Sequence, residues 1–129
     1  MKAASRQWLD IATEDLDTAR AMLRGRRYLY ACFEAQQAVK KALKAIIQES
    51  TRKPPRIHEL ERLGELACLD DEALASPLKA LSVYYIAARY PEERDRIRAA
   101  TDRAVAAGLV AAAEEVLAWA RRKLTSMPS

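Results

Sequence analysis

The sequence encodes an all-α protein, and three features of it say so. Half of its residues are apolar yet only three are Gly, and Ala, Leu, Arg, Glu and Lys dominate, which is the vocabulary of helix rather than of sheet or disorder. Apolar residues recur at three- and four-residue spacing through most of the chain, so each segment has one face to bury. The segments are broken at Gly25, at the pair Pro54–Pro55 and at Pro91, residue types that end helices by backbone geometry. At 129 residues the chain suits one domain with a core of its own.

The first helix is expected to start with Ser5 as N-cap and to close at Gly25 in a left-handed conformation, with Trp8, Ile11, Ala12, Leu16, Ala19, Met22 and Leu23 on its buried face. Asp15 falls within that face, so a cation or a hydrogen-bond donor must meet it. The second helix runs from Tyr28 to Glu49 on a stripe of Tyr28, Ala31, Cys32, Ala35, Val39, Ala42, Leu43 and Ile46. Leu29, Gln36 and Ile47 widen that stripe, which makes this helix the central element of the fold. Lys40, Lys41 and Lys44 occupy the remaining face and read as its solvated side rather than as a phosphate cradle. After the loop "STRKPPRIH" comes a short helix with Leu60, Leu63, Leu66 and Ala67 at helical spacing.

Asp70 or Asp71 then caps a fourth helix that buries Leu74, Leu78, Leu81, Tyr85 and Ala88, with Pro77 tolerated near its first turns. Pro91 ends it at Tyr90. Thr101 or Asp102 caps the last helix, on a stripe of Val105, Leu109, Ala112, Ala113, Val116, Leu117, Ala120 and Leu124. Phe33 and Trp119 lie outside these stripes or at their edge, large apolar groups that a second copy of the chain would cover; a homodimer is the expectation.

Several function classes are excluded by inventory. There is one His, no Gly-rich phosphate loop, no HExxH and no nucleophile elbow, and Cys32 and Cys68 form neither a CxxC nor a disulfide framework. No cofactor or metal is implied. No apolar run reaches the ~18 residues of a membrane span and the N-terminus has no signal-type core, so a soluble, cytoplasmic protein is expected, with no membrane partner. The formal charge of +4 favours anionic ligands but is short of a dense nucleic-acid-binding surface. His58 is the one side chain that titrates near neutrality without perturbation, but a lone His at the mouth of a short helix is more often a cap or packing residue than an acid or base.

Four segments in this order, "WLDIATEDLDTARAML", "YACFEAQQAVKKALKA", "HELERL" and "YYIAARYP", resemble the HEPN domain (higher eukaryotes and prokaryotes nucleotide-binding) over Trp8 to Lys123. The resemblance implies an antiparallel up-and-down bundle of about five helices, four long and one short. It also implies a homodimer, and often a separately encoded minimal nucleotidyltransferase as partner in a toxin–antitoxin-like pair. The nuclease branch of the family carries an Arg and, four to six residues on, a His at the start of the last long helix. No histidine follows Arg89, so that pair is not carried over. Arg52 and His58 bracket "KPPRI" with similar spacing, but in the loop before the third helix. Lys40 stands where relatives often have Glu, which weakens a site that needs a carboxylate there.

Two uses are open to Arg89, beside the break at Pro91. It can brace the bundle by pairing with Asp15, or present a guanidinium fork to a phosphate while Tyr85 or Tyr90 stacks on a base. The expected function is a non-catalytic or weakly catalytic nucleotide- or RNA-binding module, with Asp15, His58, Tyr85, Arg89 and Tyr90 as its ligand residues. The alternative is a divergent ribonuclease toxin with a rearranged site.

Overall fold

The computed structural model of the protein describes residues 1–50 and 53–128, and among these every regular element is helical. In chain order they are α1 (Ala3–Arg24), α2 (Tyr28–Glu49), α3 (Leu60–Leu66), α4 (Glu72–Ala75), α5 (Leu78–Arg89), α6 (Pro91–Ala99) and α7 (Arg103–Ser126). Four of these are long and the rest are short turns of helix between them, which is the expected all-α bundle in slightly finer division.

The helix α2 is the axis of the fold. It packs against α1, α3, α5, α6 and α7, and its apolar face, Ala31 to Ile47, is almost wholly withdrawn from water. The small residues Ala31, Cys32, Ala35, Ala38, Ala42 and Ala45 let those neighbours approach closely. Burial pushes the Cys32 thiol up to about 11, so it behaves as a small inert hydrophobe. Polar contacts record the antiparallel pairing of α1 with α2: the Lys2 backbone N–H donates to Glu49 Oε1 at 2.9 Å, and Lys41 Nζ meets Asp15 Oδ2 at 2.7 Å. The same holds for α1 and α7, where Arg20 reaches Glu114 at 2.7 Å and Arg121 reaches Thr13 at 2.7 Å.

Several local expectations are corrected. Helix α1 begins at Ala3, so Ser5 is a buried residue of its first turns rather than the cap. The left-handed residue after α1 is Arg26 (φ 60°), not Gly25 (φ −80°), and the Arg27 N–H closes the helix on Met22 O at 2.8 Å. The buried face of α1 includes Leu9, whereas Ile11 is exposed.

Asp71 does act as a cap, accepting from Ala73 N at 3.0 Å, but of α4 alone. Pro77 then separates α4 from α5. In α5 the buried tyrosine is Tyr84, whose hydroxyl lies 2.8 Å from Thr101 Oγ1, and the buried alanine is Ala87; Tyr85 and Ala88 are turned outward by one position. Tyr90 is extended (φ −125°, ψ 113°), as a residue before Pro prefers, and Pro91 opens α6, a helix the sequence pattern does not suggest. Asp102 caps α7 by accepting from Val105 N at 2.9 Å. Phe33 and Trp119 are both partly buried against the core, so the large apolar groups left in water among the described residues are others: Met1, Ile11, Tyr30, Val83, Ile86, Tyr90 and Val105.

Candidate functional site

The site is built on the one face of α2 that is not apolar. At 100° per residue Gln37, Lys40, Lys44 and Gln48 form a single stripe, with Gln36 and Lys41 on its flanks. The lysines are not a solvated side. Lys40 is 8% exposed and Lys44 9%, because α5 lays Tyr85 over the first and α1 lays Trp8 over the second. Lys44 Nζ is 5.4 Å from the centre of the Trp8 ring, and Lys40 Nζ is 5.5 Å from that of Tyr85. A lysine laid along aromatic faces keeps a partial electrostatic partner while losing most of its water.

Tyr85 collects three further groups. The imidazole of His58 stacks on its ring with centroids 4.0 Å apart and planes 13° apart. Arg89, one turn on in α5, donates a hydrogen bond to the Tyr85 hydroxyl, and its Cζ lies 5.3 Å from the ring centre. His58 is delivered by the segment leading into α3, which is pinned to α5 where Ser82 Oγ accepts from Leu60 N at 3.0 Å and donates to Glu61 Oε1 at 2.9 Å. Gly64 makes the α3–α5 approach close: a Cβ there would sit 2.9 Å from Leu78 Cδ1.

Charge at this site is out of balance. Asp15 is matched by Lys41, at 2.7 Å. Among the described residues no carboxylate comes within 4.0 Å of Lys40, Lys44 or Arg89. Burial, reinforced by Lys44 and Lys41, lowers the Lys40 ammonium to about 8. Burial and then Lys41 lower Lys44 as well. His58 is held below its ordinary value by burial and then by Lys40, Lys44 and Arg89, so it is neutral at pH 7. On the flank of the stripe, Gln36 is fully buried with Nε2 unpartnered while its Oε1 accepts from Gln37 at 2.7 Å. Chemically, this is a set of donors and positive charge without its acceptor.

Of the residues singled out from sequence, the fold brings His58, Tyr85 and Arg89 into one cluster. It does not pair Asp15 with Arg89: Lys41, across the α1–α2 seam, takes Asp15, while Arg89 turns along its own helix to Tyr85. Tyr90 is 57% exposed beyond the end of α5. Arg52, and with it the Arg52–His58 spacing, lies outside the described residues. Lys40, Lys44 and Trp8 are the site residues that sequence reasoning missed. One signal could have found them: α2 is apolar almost all the way round, so its few lysines had no broad polar face to belong to.

Among the described residues no helix is long and apolar enough to cross a membrane, and no group of three or more His, Cys, Asp or Glu is placed to hold a metal ion. No curated protein matches the sequence closely enough to count as a relative. The fold is similar to that of TT1696 from Thermus thermophilus, with a TM-score of 0.78 and 30% identity over 95% of this chain and 99% of that one. It is also similar to ST0689, described as an archaeal HEPN homologue, with a TM-score of 0.75 and 24% identity over 96% of this chain and 99% of that one. The family model of the HEPN domain matches residues 5–123. With nearly its whole length matched, the chain belongs to the HEPN domain family.

Proposed function

We propose that the protein is a binding module for a phosphate-bearing ligand, a nucleotide or RNA, held by Lys40, Lys44 and Arg89. The observation that carries this reading is the burial of Lys40 and Lys44 without a carboxylate partner among the described residues. Unpaired buried charge opposes folding, so a sequence that keeps it has a use for an anion there. Arg89 adds a planar fork suited to phosphate oxygens. Asp15, matched by Lys41, sets the edge of the site rather than touching the ligand. A homodimer working with a separately encoded minimal nucleotidyltransferase completes the reading; its support is the family's habit, together with large apolar side chains left in water elsewhere, Ile11, Tyr30, Tyr90 and Val105. Calorimetric titration with pyrophosphate tests the site. Binding by the unmodified protein that is lost in Lys40→Met is expected; no binding by a folded preparation would refute it.

A second reading, a rearranged ribonuclease, is favoured by one observation: a neutral imidazole, His58, and a guanidinium, Arg89, share the ring of Tyr85. A general base also needs an acceptor that orients it, and neither His58 nitrogen has a hydrogen-bond partner among the described residues. Incubation with single-stranded and structured RNA is therefore expected to leave it intact. Cutting that disappears in His58→Ala would promote the nuclease.

A further inference from the structure

We infer that the groove between α3 and α5, beside the lysine stripe, is the seat of a nucleobase, and that the outer face of His58 is its stacking platform. The inference rests on the phosphate reading above and names the rest of the ligand. The groove encloses about 710 Å³ and is bordered by Ile57, His58, Val83, Tyr85 and Ile86. That is within the ~300–1,000 Å³ of small-molecule sites. Val83 and Ile86 are 39% and 45% exposed, apolar side chains left in water on the groove wall. One face of His58 is occupied by Tyr85, and the side chain is otherwise exposed, so a flat ring has one imidazole face on which to stack.

Electrostatics fixes which end of the ligand enters. Two carboxylates, Glu59 and Glu61, border the groove, and Glu61 is held there by Ser82. Of the cations on the same border, Arg62 is engaged by Glu65 at 2.9 Å, which leaves Lys79. The groove therefore does not attract a phosphate, whereas the lysine stripe, whose Lys40 lies against Tyr85, does. A nucleotide satisfies both only with its base toward Ile57 and Ile86 and its phosphates toward Lys40 and Arg89. Tyr85 is a poorer stacking surface, because His58 covers one of its faces and Lys40 Nζ lies 5.5 Å from its ring centre. A neutral imidazole also lets the base stack without adding a charge to be desolvated.

The test compares pyrophosphate with ADP on the folded full-length chain by calorimetry, for the unmodified protein, His58→Ala and His58→Phe. ADP is expected to bind more tightly than pyrophosphate by about tenfold, the contribution of one base stacked on a side-chain ring. His58→Ala should erase that advantage and leave pyrophosphate binding unchanged, and His58→Phe should retain it. Equal binding of ADP and pyrophosphate by the unmodified protein overturns the base seat and leaves the phosphate site standing. So does a loss of affinity for both probes in His58→Ala alongside an unchanged melting temperature. Binding of neither probe overturns the phosphate reading and this inference with it.

Discussion

Asp15 and Arg89 show how far a single residue can be read before its neighbours are known. A carboxylate near a buried helix stripe requires a cation, and it has one; the partner is Lys41 of α2 because the α1–α2 seam brings that side chain to 2.7 Å. The pair is mostly sheltered, at 22% and 20% exposure, so Asp15→Asn should cost about 1 kcal/mol in thermal or urea unfolding. A double-mutant cycle should find coupling between Asp15 and Lys41 and simple additivity between Asp15 and Arg89. Arg89 is exposed and braces nothing but Tyr85. Arg89→Ala should therefore leave stability within about 0.5 kcal/mol of the unmodified protein while weakening pyrophosphate binding, and Arg89→Lys should restore that binding only in part, since a point charge lacks the fork. A large drop in melting temperature for Arg89→Ala would return it to the scaffold.

At the scale of elements, helix existence was legible wherever a stripe was long, while the register of a stripe and the residues at helix ends were less so. The full length of α2 followed from its periodicity. In α5 the stripe was drawn through Tyr85 and Ala88, whereas the contact of Tyr84 with Thr101, a residue seventeen positions away, goes with burial of Tyr84 and Ala87 instead. The segment "PEERDRIRA" buries Ile97 alone, so α6 had almost no stripe to detect and is held by its Pro start and by its packing on α5. The lysines of α2 were misread for a related reason: periodicity assigns Lys to water, and only the side chains of α1 and α5 reveal that Trp8 and Tyr85 cover them. His58, Tyr85 and Arg89 were singled out from the sequence by residue type and by the place of Arg89 beside the Pro91 break, and the fold brings the three together.

The α3–α5 approach that positions His58 is itself testable. Gly64→Ala puts a methyl 2.9 Å from the buried Leu78 side chain and should destabilise the protein by about 1–3 kcal/mol. Because α3 carries the His58 segment, the same variant should lose ADP affinity more than pyrophosphate affinity.

The whole molecule carries a net charge of +4, and the part of its positive charge that is buried without a carboxylate, Lys40 and Lys44, sits between α1, α2 and α5. That arrangement has a signature in stability against pH. The ordinary lysine value is 10.5 and Lys40 is lowered to about 8, so between these values the unfolded chain binds the extra proton. The penalty is complete below about pH 8 and is relieved as pH rises toward 10.5, and the stability of the unliganded protein should gain correspondingly over that window. If two copies associate, as the exposed Ile11, Tyr30, Tyr90 and Val105 favour, light scattering coupled to gel filtration will give twice the 14.5 kDa chain mass.

The claim on which all of this depends is that Lys40 is kept at a cost to the fold in order to hold an anion. Thermal melts of the unmodified protein and Lys40→Met at pH 7, each with and without pyrophosphate, test it most directly. Without ligand, Lys40→Met is expected to be the more stable by about 1–3 kcal/mol, since the buried charge is gone and the aliphatic stem is kept. Pyrophosphate should raise the melting temperature of the unmodified protein and not that of the variant. A variant less stable than the unmodified protein, together with an unmodified protein indifferent to pyrophosphate, would contradict it and leave Lys40 as a packing residue under Tyr85.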